Sequence, residues 1–303
     1  KFQNFVTEDF LSDRSILHTY KDKDKEITEP LFDICKRSEF KKEWLPGLIE
    51  LCDSLGIIFF STPTSKSGVD DLIDCGVKYI KNGSDYLSHI PLLKYMASTG
   101  ATIIISTGMA YQEDIDDAVN AILEVQPDKS KLMILHCTSS YPTPVEDVNL
   151  NKIQTLRDRY QVSIGFSDHT EGWISAVQAV TLGVKVIEKH FTLDKKLPGP
   201  DHWFSSDPEE FTELVVQVRL AEKRMGSKAL RPSNSEMEVL TQWKLGLVWD
   251  KDMEVGDTIL EKSIAIRKPA TGLPPKDLVS VIGHKVIRNC KKGEPITNLD
   301  YIN

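Results

Sequence analysis

The sequence lacks features that several broad functional classes require. It has no basic excess: 37 lysines and arginines stand against 45 aspartates and glutamates, a formal net charge of −8. A general nucleic-acid binder needs a basic face to displace counterions, so nucleic acid is not an expected partner, although a local basic pocket for a small anion suits this balance. No apolar run approaches the roughly 18–20 residues of a membrane span, and no membrane association is expected. The five cysteines, Cys35, Cys52, Cys75, Cys137 and Cys290, are odd in number, scattered and never in C-x-x-C spacing. Neither a disulfide framework nor a structural zinc site is indicated, and a reducing cytoplasm is the expected location. No G-x-G-x-x-G follows any strand-like run, which removes the usual dinucleotide fingerprint. An initiator methionine and a signal peptide are missing too; Lys1-Phe2-Gln3-Asn4-Phe5 reads as the end of a strand begun upstream.

What is present is an ordinary globular composition of 303 residues, 40% hydrophobic and 27% charged. At roughly 100–200 residues per domain, this length suits one large domain with a small one, or two domains. After a polar stretch over residues 7–29, short apolar runs rich in β-branched residues recur at 57–60, 77–80, 101–105, 132–135, 162–166 and 184–187. Each is bounded by polar residues, the pattern of parallel strands buried on both faces. Amphipathic segments lie between them. Ile115, Val119 and Ile122 mark one helix face, and Asp207-Pro208-Glu209-Glu210 reads as a helix start followed by the stripe Phe211, Leu214, Val215, Val218. Gly76, Gly100 and Gly183 stand where left-handed helix ends belong.

About seven strand–helix units are visible, where a (β/α)₈ barrel needs eight. The expected fold is therefore α/β, a TIM barrel lacking its first βα unit, over residues 1–226. Residues 227–242 read as a linker, and 243–303 as a small β-rich domain. In the latter the phrase Asp252-Met253-Glu254-Val255-Gly256-Asp257-Thr258-Ile259 is echoed by Asn289-Cys290-Lys291-Lys292-Gly293-Glu294-Pro295-Ile296, which suggests internal symmetry.

The functional signal is positional. Ser61, Thr62, Lys81, Ser84, Ser106, Thr107, His136, Ser167, Asp168, His169, Glu188, Lys189 and His190 follow the apolar runs directly, and barrel strand ends converge on the catalytic face. One polar residue after a strand is ordinary loop chemistry; six strand ends behaving alike point to a site. His169 and His190, from adjacent strand ends, suit two imidazole ligands of one catalytic divalent metal, or two structural hydrogen-bonding residues. Lys1, Lys81 and Lys189 with Ser84, Ser106 and Ser167 compose an anion pocket. Asp201, after the turn Leu197-Pro198-Gly199-Pro200, is placed to bind a sugar hydroxyl over the barrel mouth. His136 and Cys137 are chain neighbours pointing in opposite directions, which argues against a thiol mechanism. His18 in the polar opening and His89 inside a helix read as surface or packing residues.

These phrases resemble a known family. Lys1-Phe2-Gln3, Phe60-Ser61-Thr62-Pro63, Ser106-Thr107-Gly108-Met109, His136-Cys137-Thr138-Ser139, Tyr141-Pro142-Thr143-Pro144, Phe166-Ser167-Asp168-His169-Thr170, Ile187-Glu188-Lys189-His190-Phe191-Thr192 and Pro198-Gly199-Pro200-Asp201-His202 are similar to those of the N-acetylneuraminate (sialic acid) synthases and their legionaminic and pseudaminic acid relatives. The resemblance implies a barrel followed by an antifreeze-like (SAF) domain, in a domain-swapped homodimer. It implies attack of phosphoenolpyruvate on the aldehyde of an open-chain N-acylated mannosamine, then water addition and phosphate release. It assigns Mn²⁺ (or Mg²⁺) to His169 and His190. It assigns phosphoenolpyruvate to Lys1, Lys81, Ser84, Ser106 and Ser167 with help from Thr62, the amino sugar to Asp201, and a place beside the metal to Glu188.

The chain departs from the family at four places. The family's first strand, which carries a catalytic glutamate, is not found; Tyr86 stands where a sugar-binding Glu is common, which suits a 6-deoxy sugar; Ser139 or Ser140 replaces an Asn; and Lys268, beside Arg267, holds the position of an Arg that reaches the partner's sugar site. Legionaminic and pseudaminic acid synthesis are the near alternatives. A Schiff-base aldolase or lyase using Lys81 or Lys189, and an inactive sugar-binding paralogue, are the more distant ones.

Overall fold

A computed structural model describes residues 1–22 and 25–302 as two compact units, Lys1–Gly226 and Ser227–Asn303. In the first unit, β1 (Phe2–Asn4) is followed by a hairpin, β2 (Leu17–Asp22) and β3 (Lys25–Pro30), and then by β4 (Ser61–Pro63), β5 (Tyr79–Asn82), β6 (Thr102–Ser106), β7 (Leu132–Cys137), β8 (Ser163–Asp168) and β9 (Ile187–Lys189). Hairpin aside, these form one seven-stranded parallel sheet in chain order, β1-β4-β5-β6-β7-β8-β9. The sheet curls as a TIM barrel does, and β1 and β9 are its two unpaired edges, so the expected barrel short of one βα unit is what forms.

Strand alternation builds the layers. On β6, Ile103 and Ile105 face outward and are fully buried under the helices, while Ile104 faces the barrel interior with Leu135 of β7. The covering helices include Lys66–Asp74, Ile90–Ser98, Gln112–Val125, Lys152–Tyr160, Ile174–Thr181 and Pro208–Met225. Ile115, Val119 and Ile122 of one stripe are buried as expected. The last of these helices starts with a reciprocal capping box between Asp207 and Glu210, with proline in its first turn. Gly76, Gly100 and Gly183 take φ of +78°, +77° and +89°, where a Cβ would strain the chain.

Three local expectations are corrected, and one stretch left unassigned gains structure. The polar stretch 7–29 holds the β2–β3 hairpin, stitched by Thr19–Thr28 and Tyr20–Glu29 side-chain bonds. The run 57–60 is not itself a strand: pairing begins at Ser61, and Ile57 and Ile58 are 56% and 65% exposed at the open side of the barrel. Val215 is exposed for the same reason, since among the described residues no strand lies on the far side of β9 to extend the surface beneath its helix. His89 caps its helix instead of lying inside it, accepting the Leu92 N–H at Nδ1. Between the two edges opens a cavity of about 960 Å³ whose apolar walls include Phe2, Ile57, Phe60, Ile104 and Leu135. Among the described residues no helix is long and apolar enough to cross a membrane.

The second unit begins with two one-turn helices, Asn234–Met237 and Leu240–Trp243, in the segment read as a linker. It continues as two antiparallel strand pairs, β10 (Gly246–Trp249) with β11 (Ile264–Arg267), and β12 (Lys285–Val286) with β13 (Tyr301–Ile302). The echoed phrases adopt the same conformation. Met253 and Cys290, at equivalent places, exchange both backbone hydrogen bonds, and Gly256 and Gly293 turn with φ of +91° and +89°. The Gly256 N–H donates to Val286 at 2.8 Å and the Gly293 N–H to Trp249 at 2.7 Å; Val286 and Trp249 in turn donate to Asp257 and Glu294. Leu247, Trp249, Met253, Ile259, Val286 and Ile296 form the core.

Candidate active site

Register decides which strand-end residues meet. Ser167 pairs with Glu188 across β8 and β9, and Asp168 pairs with Lys189. Successive side chains point to opposite faces, so the first pair looks into the barrel and the second does not. Inside, Ser167 Oγ donates to Glu188 Oε1 at 2.7 Å. Lys81 Nζ from β5 lies 3.3 Å from the same oxygen, and Lys1 Nζ lies 3.3 Å from Oε2. Outside, Lys189 Nζ is 3.0 Å from Asp168 Oδ2 and also donates to the Thr170 carbonyl. The expectation that Lys189 joins the anion pocket is therefore corrected: alternation carries its ammonium to the far face.

Electrostatics follow from this packing. Burial alone would push the Glu188 carboxyl up, but the Lys81 and Lys1 ammonium groups and the Ser167 hydroxyl outweigh it and hold the pKa at about 2. Burial pushes Lys81 down, opposed by Glu188. The centre thus sets two lysine side chains against one carboxylate beside buried hydroxyls.

Those hydroxyls are available. Thr62 Oγ1 and Ser106 Oγ are buried with no hydrogen-bond partner among the described residues, and each unpaired group costs roughly 1–3 kcal/mol unless something occupies it; Ser61 Oγ is also unpartnered, but its register with Ile80 turns it toward the helices. Ser84 Oγ accepts the Gly108 N–H at 3.0 Å. Gly108 leaves room for both hydroxyls: a Cβ at that position would lie 2.2 Å from Ser139 Oγ and 2.8 Å from Ser84 Oγ and would displace them. The Ser139 hydroxyl in turn sits by the Tyr141 phenol.

The two histidines meet. Their ring centroids are 5.2 Å apart and nearly perpendicular. His169 Nδ1 donates to the Thr138 carbonyl at 2.8 Å, which leaves Nε2 as the lone-pair nitrogen; it lies 3.4 Å from Ser167 Oγ. Burial lowers both imidazoles to about 4, helped at His190 by Lys1, so both are neutral near pH 7. His190 Nδ1 is 3.5 Å from Asp201 Oδ2. No group of three or more His, Cys, Asp or Glu side chains is arranged to hold a metal among the described residues. Two neutral imidazoles with a free lone pair nevertheless fit a divalent cation whose other ligands are water or substrate.

Other candidates lie elsewhere. The Tyr86 ring packs on the hydrophobic core and stacks on His89 at 5.9 Å, with its hydroxyl at Thr64. His136 donates from Nε2 to the Val148 carbonyl at 2.6 Å on the outer face, opposite in direction to Cys137. His18 stacks on Tyr20 of the hairpin. In the second unit, Lys268 lies 4.7 Å over the Trp243 ring and Arg267 pairs with Asp250 at 2.6 Å.

Sequence reasoning missed Gln3 and Tyr141. Gln3 lines the cavity with Lys1, Lys81, Glu188, His190 and Asp201; its place two residues after Lys1 on one strand was the available signal. Tyr141 lies 4.3 Å from the His169 ring and 5.6 Å from that of His190, and burial pushes its hydroxyl up to about 12. It stands four residues beyond the end of β7, outside the reach of the strand-end rule.

Comparison with known proteins agrees with this geometry. A NeuB family model matches residues 1–229 and a SAF domain model matches residues 246–301. An uncharacterised protein of Methanocaldococcus jannaschii is 39% identical over 300 residues, 99% of this chain and 84% of that one. The N,N'-diacetyllegionaminic acid synthase of Legionella pneumophila is 35% identical over 295 residues, 97% of this chain and 83% of its own length. Names of further relatives include pseudaminic acid synthase, spore coat polysaccharide biosynthesis protein SpsE and N-acetylneuraminate-9-phosphate synthase. The crystal structure of an N-acetylneuraminic acid synthetase from Leptospira borgpetersenii matches with a TM-score of 0.68 at 33% identity, over 79% of this chain and 78% of that one.

Proposed function

The chain belongs to the NeuB family, and from that premise we propose that it is a nonulosonic acid synthase joining phosphoenolpyruvate to an open-chain N-acylated mannosamine-type sugar. The methylene carbon of phosphoenolpyruvate forms a C–C bond to the aldehyde carbon, whose oxygen takes up a proton. Water adds at the phosphate-bearing carbon, and the C–O bond to phosphate breaks to leave a 2-keto acid and inorganic phosphate.

The observation that carries this reading is the Lys1–Lys81–Glu188 cluster ringed by unpartnered hydroxyls and set beside two neutral imidazoles. Lys81 and Lys1 bind the phosphate and carboxylate as point charges, and Thr62, Ser84, Ser106, Ser139 and Ser167 supply oriented donors. Glu188 stays ionised across the working range and holds both ammonium groups in place. Asp201 accepts from a sugar hydroxyl. His169 and His190 would hold Mn²⁺ or Mg²⁺, which supplies Lewis-acid polarisation of the aldehyde when bound.

The wider reading includes a homodimer in which Lys268 of one chain serves its partner's sugar site, and work in the cytoplasm, favoured by five free cysteines. The division into barrel 1–226, linker 227–242 and SAF domain 243–303 is part of the same proposal.

The test is phosphate release from phosphoenolpyruvate with Mn²⁺, using N-acetylmannosamine and 2,4-diacetamido-2,4,6-trideoxymannose in parallel. Release with one sugar, lost with EDTA and in His169→Ala, establishes the reaction and names the product. A burial-lowered lysine is also what a Schiff-base lyase uses, and Lys81 is one. Trapping of a keto acid on Lys81 by borohydride, with no phosphate released, would overturn the synthase reading in favour of that chemistry.

A further inference from the structure

Ser139 and Tyr141 reach the site from the loop between β7 and the helix Lys152–Tyr160, and one buried threonine ties that loop to His169. Thr143 is 7% exposed. Its backbone N–H donates to the His169 carbonyl at 3.0 Å. Its hydroxyl donates to the Ser140 carbonyl at 2.9 Å and lies 3.3 Å from that of Thr138. The Thr138 carbonyl is the group that accepts from His169 Nδ1 at 2.8 Å, and the Ser140 N–H takes its second lone pair at 3.0 Å. Thr143 therefore holds the histidine along two paths. Its amide grips the backbone of His169, and its hydroxyl grips the short turn 138–140 whose carbonyl meets the ring.

Resting on the reading of His169 and His190 as metal ligands, we infer that Thr143 is a positioning residue for His169, its hydroxyl fixing the turn that keeps Nδ1 protonated and presents the Nε2 lone pair. The physical reason is that a neutral imidazole has two tautomers and a ring free to rotate, and the partner of its N–H selects one arrangement. Here that partner is a backbone carbonyl, which no side chain can replace, so its aim depends on what braces the turn. Ser139 lies within the braced turn, and Tyr141, 4.3 Å from the His169 ring, lies between Ser140 and Thr143. Both are held by the same clasp. The amide path survives any substitution except proline, so removing the hydroxyl isolates the second path.

The test reads metal binding directly, by calorimetric titration of the full chain with Mn²⁺ in the absence of substrates. Groups that orient a metal-bound histidine are typically worth about 10–100-fold in affinity. Thr143 acts one step further out, so Thr143→Val and the smaller Thr143→Ala are each expected to weaken Mn²⁺ binding about tenfold. Thr143→Ser keeps the hydroxyl and should bind within about twofold of the parent. So should Ser140→Ala, whose lost side-chain bond runs to the Pro142 carbonyl at 3.3 Å and to neither histidine. If His169→Ala abolishes binding but Thr143→Val or Thr143→Ala binds as the parent does, or Thr143→Ser is weakened as much as they are, the assignment alone is refuted. A parent that binds no Mn²⁺, or a His169→Ala variant that binds it unchanged, refutes the metal reading and this assignment with it.

Discussion

Replacing Lys189 by methionine separates the two faces of β9. Its ammonium lies 3.0 Å from Asp168 Oδ2, with the side chains 2% and 0% exposed. At that distance and an effective dielectric constant of about 20, two unit charges attract by ~5.5 kcal/mol. Desolvation offsets part of this, and removing one partner of a buried pair typically costs about 3–5 kcal/mol because the other charge is stranded. Asp168 keeps the Thr170 N–H at 2.9 Å and hydroxyl at 2.7 Å, which places the expected loss for Lys189→Met near the lower figure. Urea unfolding followed by fluorescence measures it, with phosphoenolpyruvate binding followed by calorimetry. Lys189→Met should lose about 3 kcal/mol of stability and bind phosphoenolpyruvate as the parent does. Pairing it with Asp168→Leu should not return the loss, since it also strips the buried Thr170 N–H and hydroxyl of their acceptor. Unchanged stability together with abolished binding would refute the reasoning, because it would put Lys189 inside the barrel.

Two further outcomes follow from the geometry. Gly108→Ala should raise the KM of phosphoenolpyruvate about tenfold or more without unfolding the chain, since the new methyl displaces the Ser84 and Ser139 hydroxyls and each donor to a charged ligand is worth about 1.5–3 kcal/mol; an unchanged KM would remove those serines from the site. Asp116 is held below its ordinary value by Arg159 and then by Tyr160, so its contribution is present above the unfolded carboxylate pKa and disappears as pH falls through the folded one. After discounting for solvent screening at this half-exposed pair, Asp116→Asn should cost about 0.2–1 kcal/mol at pH 7 and less at pH 3 in urea melts, and a loss that does not shrink on acidification would contradict a charge effect.

The sequence made some of this legible because the physics involved is local. Polar residues closing a β-branched run announce strand ends, so Ser106, Ser167, His169, Glu188 and His190 could be gathered onto one face without coordinates. Alternation told Glu188 and Lys189 apart in principle, but judging a strand's phase needs its register, and that is set by the neighbouring strand. Tyr86 sits in a single 3₁₀ turn, where no period says whether its side chain enters the site. The β2–β3 hairpin was hidden by its composition, since polar pairs such as His18–Glu29 and Thr19–Thr28 interrupt its few apolar ones, Leu17–Pro30 and Tyr20–Ile27. The exposure of Ile57 and Val215 depends on which strand is next door, information a local run does not contain.

The echoed phrases of the second unit are an isologous contact within one chain. Met253 meets Cys290 as Cys290 meets Met253, Gly256 leans on Val286 as Gly293 leans on Trp249, and Ile259 donates to His284 as Ile296 donates to Leu247, both at 2.9 Å. Every one of these bonds runs from one half to the other, as between subunits of a two-fold dimer. Neither half closes its own core, so the unit has no half-folded form to rest in. A lesion at either turn is therefore felt in both halves, and the tether between them raises their mutual concentration enough to hold together what two separate short peptides would not.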